Sequence, residues 1–343
     1  MLSALYSEPL WEGAHLQANY ELRYSQNKSD RQTYDFSRLA MNPFTGIVPE
    51  YRDWNPWIGS FDSETMDAQL DKNLSRYSEY KNYTHNIRLT LRHWQKEYDY
   101  NIGFLIQPQH SNFVQDYRGI YVDTIRNVIN FTPTLDFHYN FSDQESIRLT
   151  YRGDTRQPDI TQLLDITDDS NPLYITQGNP GLKPQFTNSL NAYYSNYIQK
   201  YKRSFVLFGN YRHIRNSISN LVRYNAETGG STSRPENING NWNADGGFNF
   251  STAIDSAAHW NMGSDTRLRY NNYVSYVAQN QADAAKNTTK TTNVNQRMNV
   301  SFRNDWLEVT LDGNVNYQHS RNELQPSANL DTWRFSYGGQ MMV

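Results

Sequence analysis

Apolar and polar residues alternate with a period of two along most of the chain. Between His15 and Ser25 the odd positions are all polar, whereas the even positions are apolar or aromatic. This alternation is typical of a β-strand with one apolar and one polar face. It recurs in the segments 87–92, 98–106, 131–141, 205–211, 260–270, 298–302, 307–317 and 333–337. The pattern predicts an all-β chain of about twelve strands, without a helix longer than a turn or two.

Short turns and long polar connections alternate between these segments. Tight turns are predicted near 95–96, 142–144, 199–200, 255–256 and 304–305, and long connections at 37–68, 112–119, 154–183, 225–235, 271–291 and 318–327. Outer-membrane barrels have this asymmetry, with short periplasmic turns and long extracellular loops. Aromatic residues such as Trp94, Trp260 and Trp306 flank the tight turns, and we interpret them as an interfacial girdle. Plain β-propensity is the alternative explanation.

The apolar faces of these strands need a cover. A soluble antiparallel sheet uses a second layer, but the sequence predicts no helices that could supply one. Many alternations run ten residues or more, which is enough for a tilted strand to cross a bilayer. We therefore expect a transmembrane antiparallel barrel, with one set of residues facing lipid and another facing inward. The lipid-facing set is Leu16, Tyr20, Leu89, Leu91, Ile102, Phe104, Leu135, Phe137, Leu207, Val309 and Leu311, and the inward set is Arg88, Arg92, Asp136, His138 and Arg148.

Composition narrows the functional classes. The 343 residues include 26 Tyr, 8 Trp and 15 Phe, yet the mean hydropathy is −0.84 and the formal net charge is −3. Disordered chains are poor in aromatic residues, so the low hydropathy does not indicate disorder. The balanced charge argues against nucleic-acid binding. The absence of Cys excludes disulfides, thiolate zinc sites and cysteine nucleophiles. The apolar runs are too short for a transmembrane helix, and the first residues do not resemble a signal peptide.

No residue pattern predicts catalysis. The eight His residues are scattered without metal-ligand spacing, and Asp165, Asp168 and Asp169 lack the oxygen pattern of a calcium loop. Gly246-Gly247 is not followed by a phosphate-binding motif and is expected to mark a strand bend. We expect no catalytic residue, no cofactor and no metal. The best candidates for ligand contact are the loop aromatics Trp54, Trp57 and Phe61, for which packing within the loop is the alternative role.

One segment points to a known family. The run Asn171-Pro172-Leu173-Tyr174-Ile175, continued by Gly178-Asn179-Pro180-Gly181-Leu182-Lys183-Pro184-Gln185, precedes an alternating strand. It resembles the barrel of Bacteroidetes-type TonB-dependent outer-membrane receptors, including the outer membrane protein beta-barrel family related to SusC-like importers. Residues 151–153 and 158–163 fit the strand and loop before this motif. Tyr6-Ser7-Glu8-Pro9-Leu10 resembles a periplasmic turn of the same barrels.

The resemblance implies a nutrient importer in the outer membrane of a Gram-negative bacterium of the Bacteroidetes. Its partners would be outer-membrane lipid, a plug domain, the TonB complex and a surface lipoprotein. The ligand stays open among glycan, peptide, siderophore and vitamin. Family members have about twenty-two strands, so residues 1–343 are expected to form one partial barrel domain without a plug, unable to insert alone. A plugless barrel for adhesion or assembly is the second hypothesis, and a barrel enzyme is the third.

Overall fold

The structure is nearly all β. The computed structural model describes residues 2–36, 59, 61–117, 119–164, 167–169, 171–225, 227–277 and 285–343. The strands are β1 (Leu2–Trp11), β2 (Ala14–Arg31), β3 (Arg76–Trp94), β4 (Tyr98–Tyr117), β5 (Ile120–Ser142), β6 (Glu145–Arg156), β7 (Thr167–Asp168), β8 (Tyr174–Gln177), β9 (Gln185–Ile198), β10 (Arg203–Arg215), β11 (Ser217–Tyr224), β12 (Ser231–Ile238), β13 (Asn241–Ala253), β14 (Trp260–Val277), β15 (Ala285–Arg303), β16 (Glu308–Asn322) and β17 (Leu330–Met342). Two short helices, α1 (Ser63–Gln69) and α2 (Ile160–Leu163), lie in connections.

Thirteen strands form one sheet in the order β1-β2-β3-β4-β5-β6-β9-β10-β13-β14-β15-β16-β17. Each strand therefore pairs with the strand that precedes or follows it along the chain. The exceptions are two insertions, one with β7 and β8 and one with β11 and β12. The paired strands from β5 to β17 are antiparallel, with registers of up to eighteen residue pairs. The insertions form a second sheet, β11-β12-β8-β7, in which β12 and β8 run parallel. The prediction of an all-β antiparallel fold is confirmed, with thirteen strands in the main sheet.

The predicted tight turns are confirmed, but several predicted long connections are shorter than expected. Residues 112–119 were expected to form a loop, yet β4 continues to Tyr117 and β5 begins at Ile120. Strands β14 and β15 likewise extend to Val277 and from Ala285, into the predicted connection 271–291. Backbone pairing does not depend on side-chain hydropathy, so strands continue into segments such as 112–117 and 271–277, where apolar and polar residues no longer alternate strictly.

The prediction of a turn at Tyr6–Leu10 is wrong. These residues lie inside β1, and the chain reverses at Glu12-Gly13, where Gly13 has a φ of +75°. The turn was expected from the resemblance to the receptor barrels, and Pro9 in a strand removes one ladder donor. Within the described residues β1 is the outermost strand of the order, where a missing N–H is tolerated.

The main sheet has one apolar and one polar face. From β5 to β17 the register aligns the apolar positions of neighbouring strands, as in the row Leu149, Ala192, Gly209, Gly246, Leu268. None of the eleven predicted lipid-facing residues is buried, and Leu207 and Leu311 are 54% and 61% exposed. The polar face carries ion pairs between Arg152 and Asp136 (3.3 Å) and between His138 and Asp99 (3.0 Å). We call these two sides of the sheet the apolar face and the polar face.

The described residues contain almost no hydrophobic core. The apolar residues that are buried are Ala14, Phe113, Leu182, Ile238 and Val274. A soluble domain of this length would bury most of its large aliphatic side chains. The apolar face is therefore built to be covered by something other than this chain.

Two compact units are distinguished within the chain. One contains residues 1–4, 20–86 and 107–129, and the other contains residues 5–19, 87–106 and 130–343. The second unit holds the register-matched strands from β6 to β17 and the small four-stranded sheet. Among the described residues, no helix is long and apolar enough to cross a bilayer.

The turn between β13 and β14 is held by one carboxylate. Asp255 accepts hydrogen bonds from the backbone N–H groups of Trp260 (2.7 Å) and His259 (3.1 Å). The hydrogen bond from Trp260 is the main cause that holds the pKa of Asp255 below its usual value, and the bond from His259 adds to it. The turn also places Ala258 at a φ of +61°, which a non-glycine residue rarely adopts.

We predict that this turn loosens in acid. Because the folded pKa of Asp255 is lowered, its stabilisation is complete above the unfolded pKa of about 3.9 and is lost as pH falls through the folded value. Amide exchange at Trp260 should therefore accelerate relative to neighbouring strand amides as the pH falls below about 4. The variant Asp255→Asn should show faster exchange already at pH 7 and no such acid step. Equal exchange profiles in the two proteins would contradict this role.

Candidate functional site

Two long connections fold together into the small sheet. The connection between β6 and β9 supplies α2, β7 and β8, and the connection between β10 and β13 supplies the hairpin β11-β12. Residues 165, 166, 170 and 226 of these connections lie outside the described residues. The parallel pairing of β12 with β8 joins the two connections, with Ser231 opposite Tyr174 and Ser233 opposite Thr176. We call this unit the loop sheet.

Asn179, within the motif that resembles the receptor family, ties the first connection to the second. Its side-chain Nδ2 donates to the carbonyl oxygen of Pro235 (2.9 Å), and its Oδ1 accepts from the N–H of Gly181 (3.0 Å). Its backbone N–H donates to the carbonyl of Gln162 (2.6 Å). Asn179 is only 6% exposed, so the bonds are shielded from water.

Asn237 and Asn216 make a second tie. The side chain of Asn237 accepts from the N–H of Lys183 (2.7 Å) and donates to the carbonyls of Lys183 (3.0 Å) and Asn216 (2.9 Å). The N–H of Asn216 donates to Oδ1 of Asn239 (2.7 Å). Each amide side chain replaces backbone partners that an irregular loop cannot supply. We call the bonds of Asn179, Asn216 and Asn237 the asparagine clasp.

Buried apolar residues concentrate beside the clasp in the part of the chain that the structure describes. Leu182, Ile238 and Val274, three of the five buried apolar residues, lie in or beside it. Asn241 brackets Val274 by accepting from its N–H (2.7 Å) and donating to its carbonyl (3.3 Å). At Gly178 an added Cβ would lie 1.6 Å from the carbonyl oxygen of Leu164, so only glycine fits.

Outside this packed base, the loop sheet presents aromatic rings to solvent. Tyr174 and Tyr224 are 69% and 60% exposed. Both lie opposite Ser231, on the two sides of β12, so they share one face of the loop sheet. A rigid sheet with exposed rings and neighbouring hydroxyl groups can stack on and hydrogen-bond a ligand.

The sequence did not identify this surface. The run Asn-Pro-Gly-Leu-Lys-Pro at 179–184 indicated a resemblance to a family but did not predict a structural role for these residues. The signal that could have revealed it was the high density of Asn in both connections, because Asn side chains commonly cap irregular backbone. Asn216 and Asn237 are far from Asn179 in sequence, so only the fold brings them together.

Of the predicted ligand-contact residues, Trp54 and Trp57 lie outside the described residues. Phe61 is half-buried and stacks on Phe36, with ring centroids 5.8 Å apart and an interplanar angle of 22°. The next residue, Asp62, caps α1 by accepting from the N–H of Thr65 (2.8 Å), and hydrogen bonds from Thr65 lower the pKa of Asp62. Ligand contact by Phe61 stays a prediction. In the described part of the chain, no group of three or more His, Asp or Glu residues is placed to hold a metal ion.

We predict that Asn179→Ala releases the loop sheet. The substitution leaves the buried carbonyl of Pro235 without a partner, which costs about 1–3 kcal/mol, and it also removes the half-buried hydrogen bond to the N–H of Gly181. Limited proteolysis should then cut within 216–240 at lower protease concentrations, while the main sheet stays resistant. Asn220→Ala, an exposed position on β11, is the matched control and should leave cleavage unchanged. If both variants resist protease like the native protein, the clasp does not hold the connections together.

Comparison with solved structures finds distant likenesses. The chain is similar to the copper transporter OprC (10% identity, TM-score 0.37, 92% of this chain and 58% of that one). It is also similar to the ferric enterobactin receptor PfeA from Pseudomonas aeruginosa (8% identity, TM-score 0.35, 99% and 61%). A third is the siderophore receptor PirA from Acinetobacter baumannii (9% identity, TM-score 0.33, 99% and 61%). The chain thus spans about three fifths of the length of each of these proteins.

Comparison with curated proteins finds no match. One protein-family model matches residues 2–340, which is nearly the whole chain. The match therefore includes the main sheet, the loop sheet and the residues of the clasp. Its description agrees with the long antiparallel strands and the exposed apolar face found in the structure. This chain belongs to the outer membrane protein beta-barrel family.

Proposed function

We propose that the chain forms part of the barrel of a TonB-dependent outer-membrane receptor of the Bacteroidetes type, which imports a nutrient ligand. The observation that supports this most directly is the sheet itself, with an exposed apolar face, a charged polar face and a folded loop sheet at one end of the strands. The function involves no chemical step by this chain. A plug domain and the TonB complex are its proposed partners, with a surface lipoprotein as a further one.

The heights of the aromatic residues agree with a membrane-spanning sheet. On the apolar face of β14, Trp260 begins the strand and Tyr270 lies ten residues later. At about 3.3 Å per residue and a tilt of about 40°, these rings are separated by about 25 Å along the membrane normal. Outer-membrane barrels have an apolar band of this height between two aromatic girdles. Trp260 pairs with Phe302 (4.9 Å), and Tyr270 stacks on Trp242 (4.9 Å), which extends each row across neighbouring strands.

The polar face would line the interior. It carries charged and amide side chains, among them Arg148, Arg152, Asp245, Arg267 and Arg269, at positions that alternate with the apolar ones. Some are paired, as in Asn210 to Asp245 (2.8 Å) and Arg267 to Asp265 (3.1 Å). Such a surface suits contact with water, with a plug or with a polar ligand in transit.

The loop sheet is the proposed place of first ligand contact within the described residues. Its exposed Tyr174 and Tyr224 are held on a base that the asparagine clasp makes rigid, and a preorganised surface loses little entropy on binding. Trp54, Trp57 and Phe61 on the connection between β2 and β3 are proposed as further contacts. The chemical class of the ligand stays open.

We predict that the reactivity of single cysteines with maleimides alternates from one residue to the next along β10. The chain contains no Cys, so single cysteines can be introduced without background. In outer membranes, a water-soluble maleimide should modify Asn210→Cys on the polar face much faster than Leu207→Cys and Gly209→Cys on the apolar face. A lipid-soluble maleimide should reverse the order. Equal reactivity at all three positions, or the opposite order with both reagents, would contradict the membrane orientation.

The importer hypothesis is tested in the native bacterium. Deleting the gene should abolish uptake of one class among radiolabelled siderophore, vitamin, peptide and oligosaccharide ligands. Deleting the gene for TonB as well should cause no further loss for that class. Restoring the gene with Tyr174→Ala and Tyr224→Ala should raise the ligand concentration needed for half-maximal uptake. Uptake that depends on this gene but not on TonB would favour a plugless barrel, and no uptake defect together with lost cell attachment would favour adhesion.

A further inference from the structure

One arginine lies in each of four successive rows across the polar face. A row is a set of residues that the registers place opposite one another, and on β14 the rows pass through positions 265, 267, 269 and 271. Arg297 lies opposite position 265, and positions 267 and 269 are themselves arginines. Arg212 shares the row of position 271, because both lie opposite Asn243. We call Arg297, Arg267, Arg269 and Arg212 the arginine ladder.

The ladder follows the length of the strands. Two residues separate successive rows, which places the rows about 7 Å apart, so the four rows extend over about 20 Å. Across the sheet the ladder covers β10, β13, β14 and β15, or about 15 Å at the usual strand spacing. One end adjoins the loop sheet, because Arg212 is four residues before Asn216 of the asparagine clasp, where β10 is followed by β11.

The two carboxylates beside the ladder already have partners. Asp265 forms an ion pair with Arg267 (3.1 Å). Asp245, which lies opposite Arg269, accepts a hydrogen bond from Asn210 (2.8 Å). Four arginines beside two aspartates leave this part of the polar face positively charged, although the whole chain has a formal net charge of −3.

Three arginines of the ladder have no protein partner in the described part of the chain. The side chains of Arg212, Arg269 and Arg297 form no ion pair and no hydrogen bond with any described residue, and all three are exposed. Their guanidinium groups therefore keep all their donors for water or for a ligand.

The cations of this face are arginines and not lysines. Along the described main-sheet strands from β6 to β17, no lysine occupies a polar-face position, and Lys286 and Lys290 of β15 belong to the apolar face. The guanidinium group is a planar fork that matches the two oxygens of a carboxylate or phosphate, whereas the lysine ammonium is a point charge. The exclusive use of arginine indicates recognition of oxygen anions.

The dimensions of the ladder favour a small ligand over a folded partner. Its area is about 300 Å², from the strand spacing and rise, whereas a stable protein interface needs about 800 Å² from each partner. Ion pairs at exposed sites are weak, so a bound anion leaves each arginine readily. A series of weak sites of one sign is the arrangement by which pores select and pass ions of the other sign.

We propose that the arginine ladder is a series of binding sites for a ligand that bears carboxylate or phosphate groups, and that this ligand moves from one arginine to the next. The inference rests on the proposed import function and narrows the chemical class of the nutrient. The ligand comes from the loop sheet to Arg212, and the other three arginines follow in the order of the rows. At each step the oxygens of an anionic group accept hydrogen bonds from the next guanidinium before they leave the previous one.

The first test measures the charge preference at Asn271→Cys, which lies between Arg212 and Arg269, in outer membranes of the native bacterium. The rate with anionic 2-sulfonatoethyl methanethiosulfonate, relative to the rate with its cationic trimethylammonioethyl analogue, should exceed the same ratio for a free thiol several-fold. Replacing both Arg212→Gln and Arg269→Gln should bring the ratio close to that of the free thiol.

Arg215→Gln is the matched control, because it removes an exposed arginine from the apolar face of the same strand β10. It should leave the ratio unchanged. A ratio that does not respond to loss of Arg212 and Arg269 would overturn the proposal. So would a lack of reaction with both reagents while Asn210→Cys reacts, because the row would then be covered by protein.

The second test asks whether an anion occupies the ladder. Millimolar citrate or pyrophosphate should slow the reaction of Asn271→Cys with neutral methyl methanethiosulfonate several-fold, compared with sodium chloride of equal ionic strength. The uncharged trisaccharide raffinose should give no protection. Protection by the anions should disappear in the protein that lacks Arg212 and Arg269 and persist in Arg215→Gln. Protection by raffinose alone, or a charge preference without protection by either anion, would overturn the proposal.

These outcomes are separable from the import hypothesis. Protection by the anions, in a bacterium where deletion of the gene causes no uptake defect, would contradict import and support the anion sites. Uptake that depends on the gene but is confined to uncharged ligands would contradict the anionic class of the ligand and support import.

Discussion

The structure depends on the pairing of long strands whose apolar side chains have no cover within the chain. Only five apolar residues of the described part are buried, while side chains such as Leu207, Leu268 and Leu311 are more than half exposed. In hydrocarbon, an unpaired backbone group costs several kcal/mol, so the regular ladder from β5 to β17 is a requirement of the environment. The alternation of faces, the interfacial aromatic rows and the continuity of the registers all follow from this constraint.

In the connections beyond the apolar band, hydrogen bonds from asparagine side chains hold the chain together. The connections that join β6 to β9 and β10 to β13 cannot use hydrocarbon burial, and they are too irregular to satisfy all their backbone groups by pairing. Asparagine side chains supply the missing partners at Asn179, Asn216 and Asn237, and the few buried apolar residues concentrate beside them. The result is a hydrogen-bonded base beneath exposed tyrosines, and the proposed capture of a ligand uses these tyrosines.

The apolar face has a hollow across β9, β10, β13 and β14, with Gly209 in its floor, and this gives the face local structure. A lipid-facing surface is usually treated as uniform, but the row Ala192, Gly209, Gly246 removes side-chain volume at one depth on three adjacent strands. Gly247, one residue further on, serves packing on the opposite face. Side-chain volume on the apolar face and packing on the polar face are therefore set independently at neighbouring positions of one strand.

The sequence by itself determined the fold class, the tight turns and the facing of the strands, because a period of two in hydropathy encodes all three. It placed Leu207 and Leu311 on one face and Arg148 on the other without reference to any contact. It could not determine how far the strands extend, since pairing continues where apolar and polar residues no longer alternate strictly, as at 112–119 and 271–291. The resemblance misplaced the first turn at residues 6–10, and β1 accommodates Pro9 because it is the outermost strand of the described order. Only the tertiary structure decided which asparagines meet in the clasp and which glycines form the hollow. Both depend on registers between segments tens of residues apart, and strand pairing rather than local pattern fixes those registers.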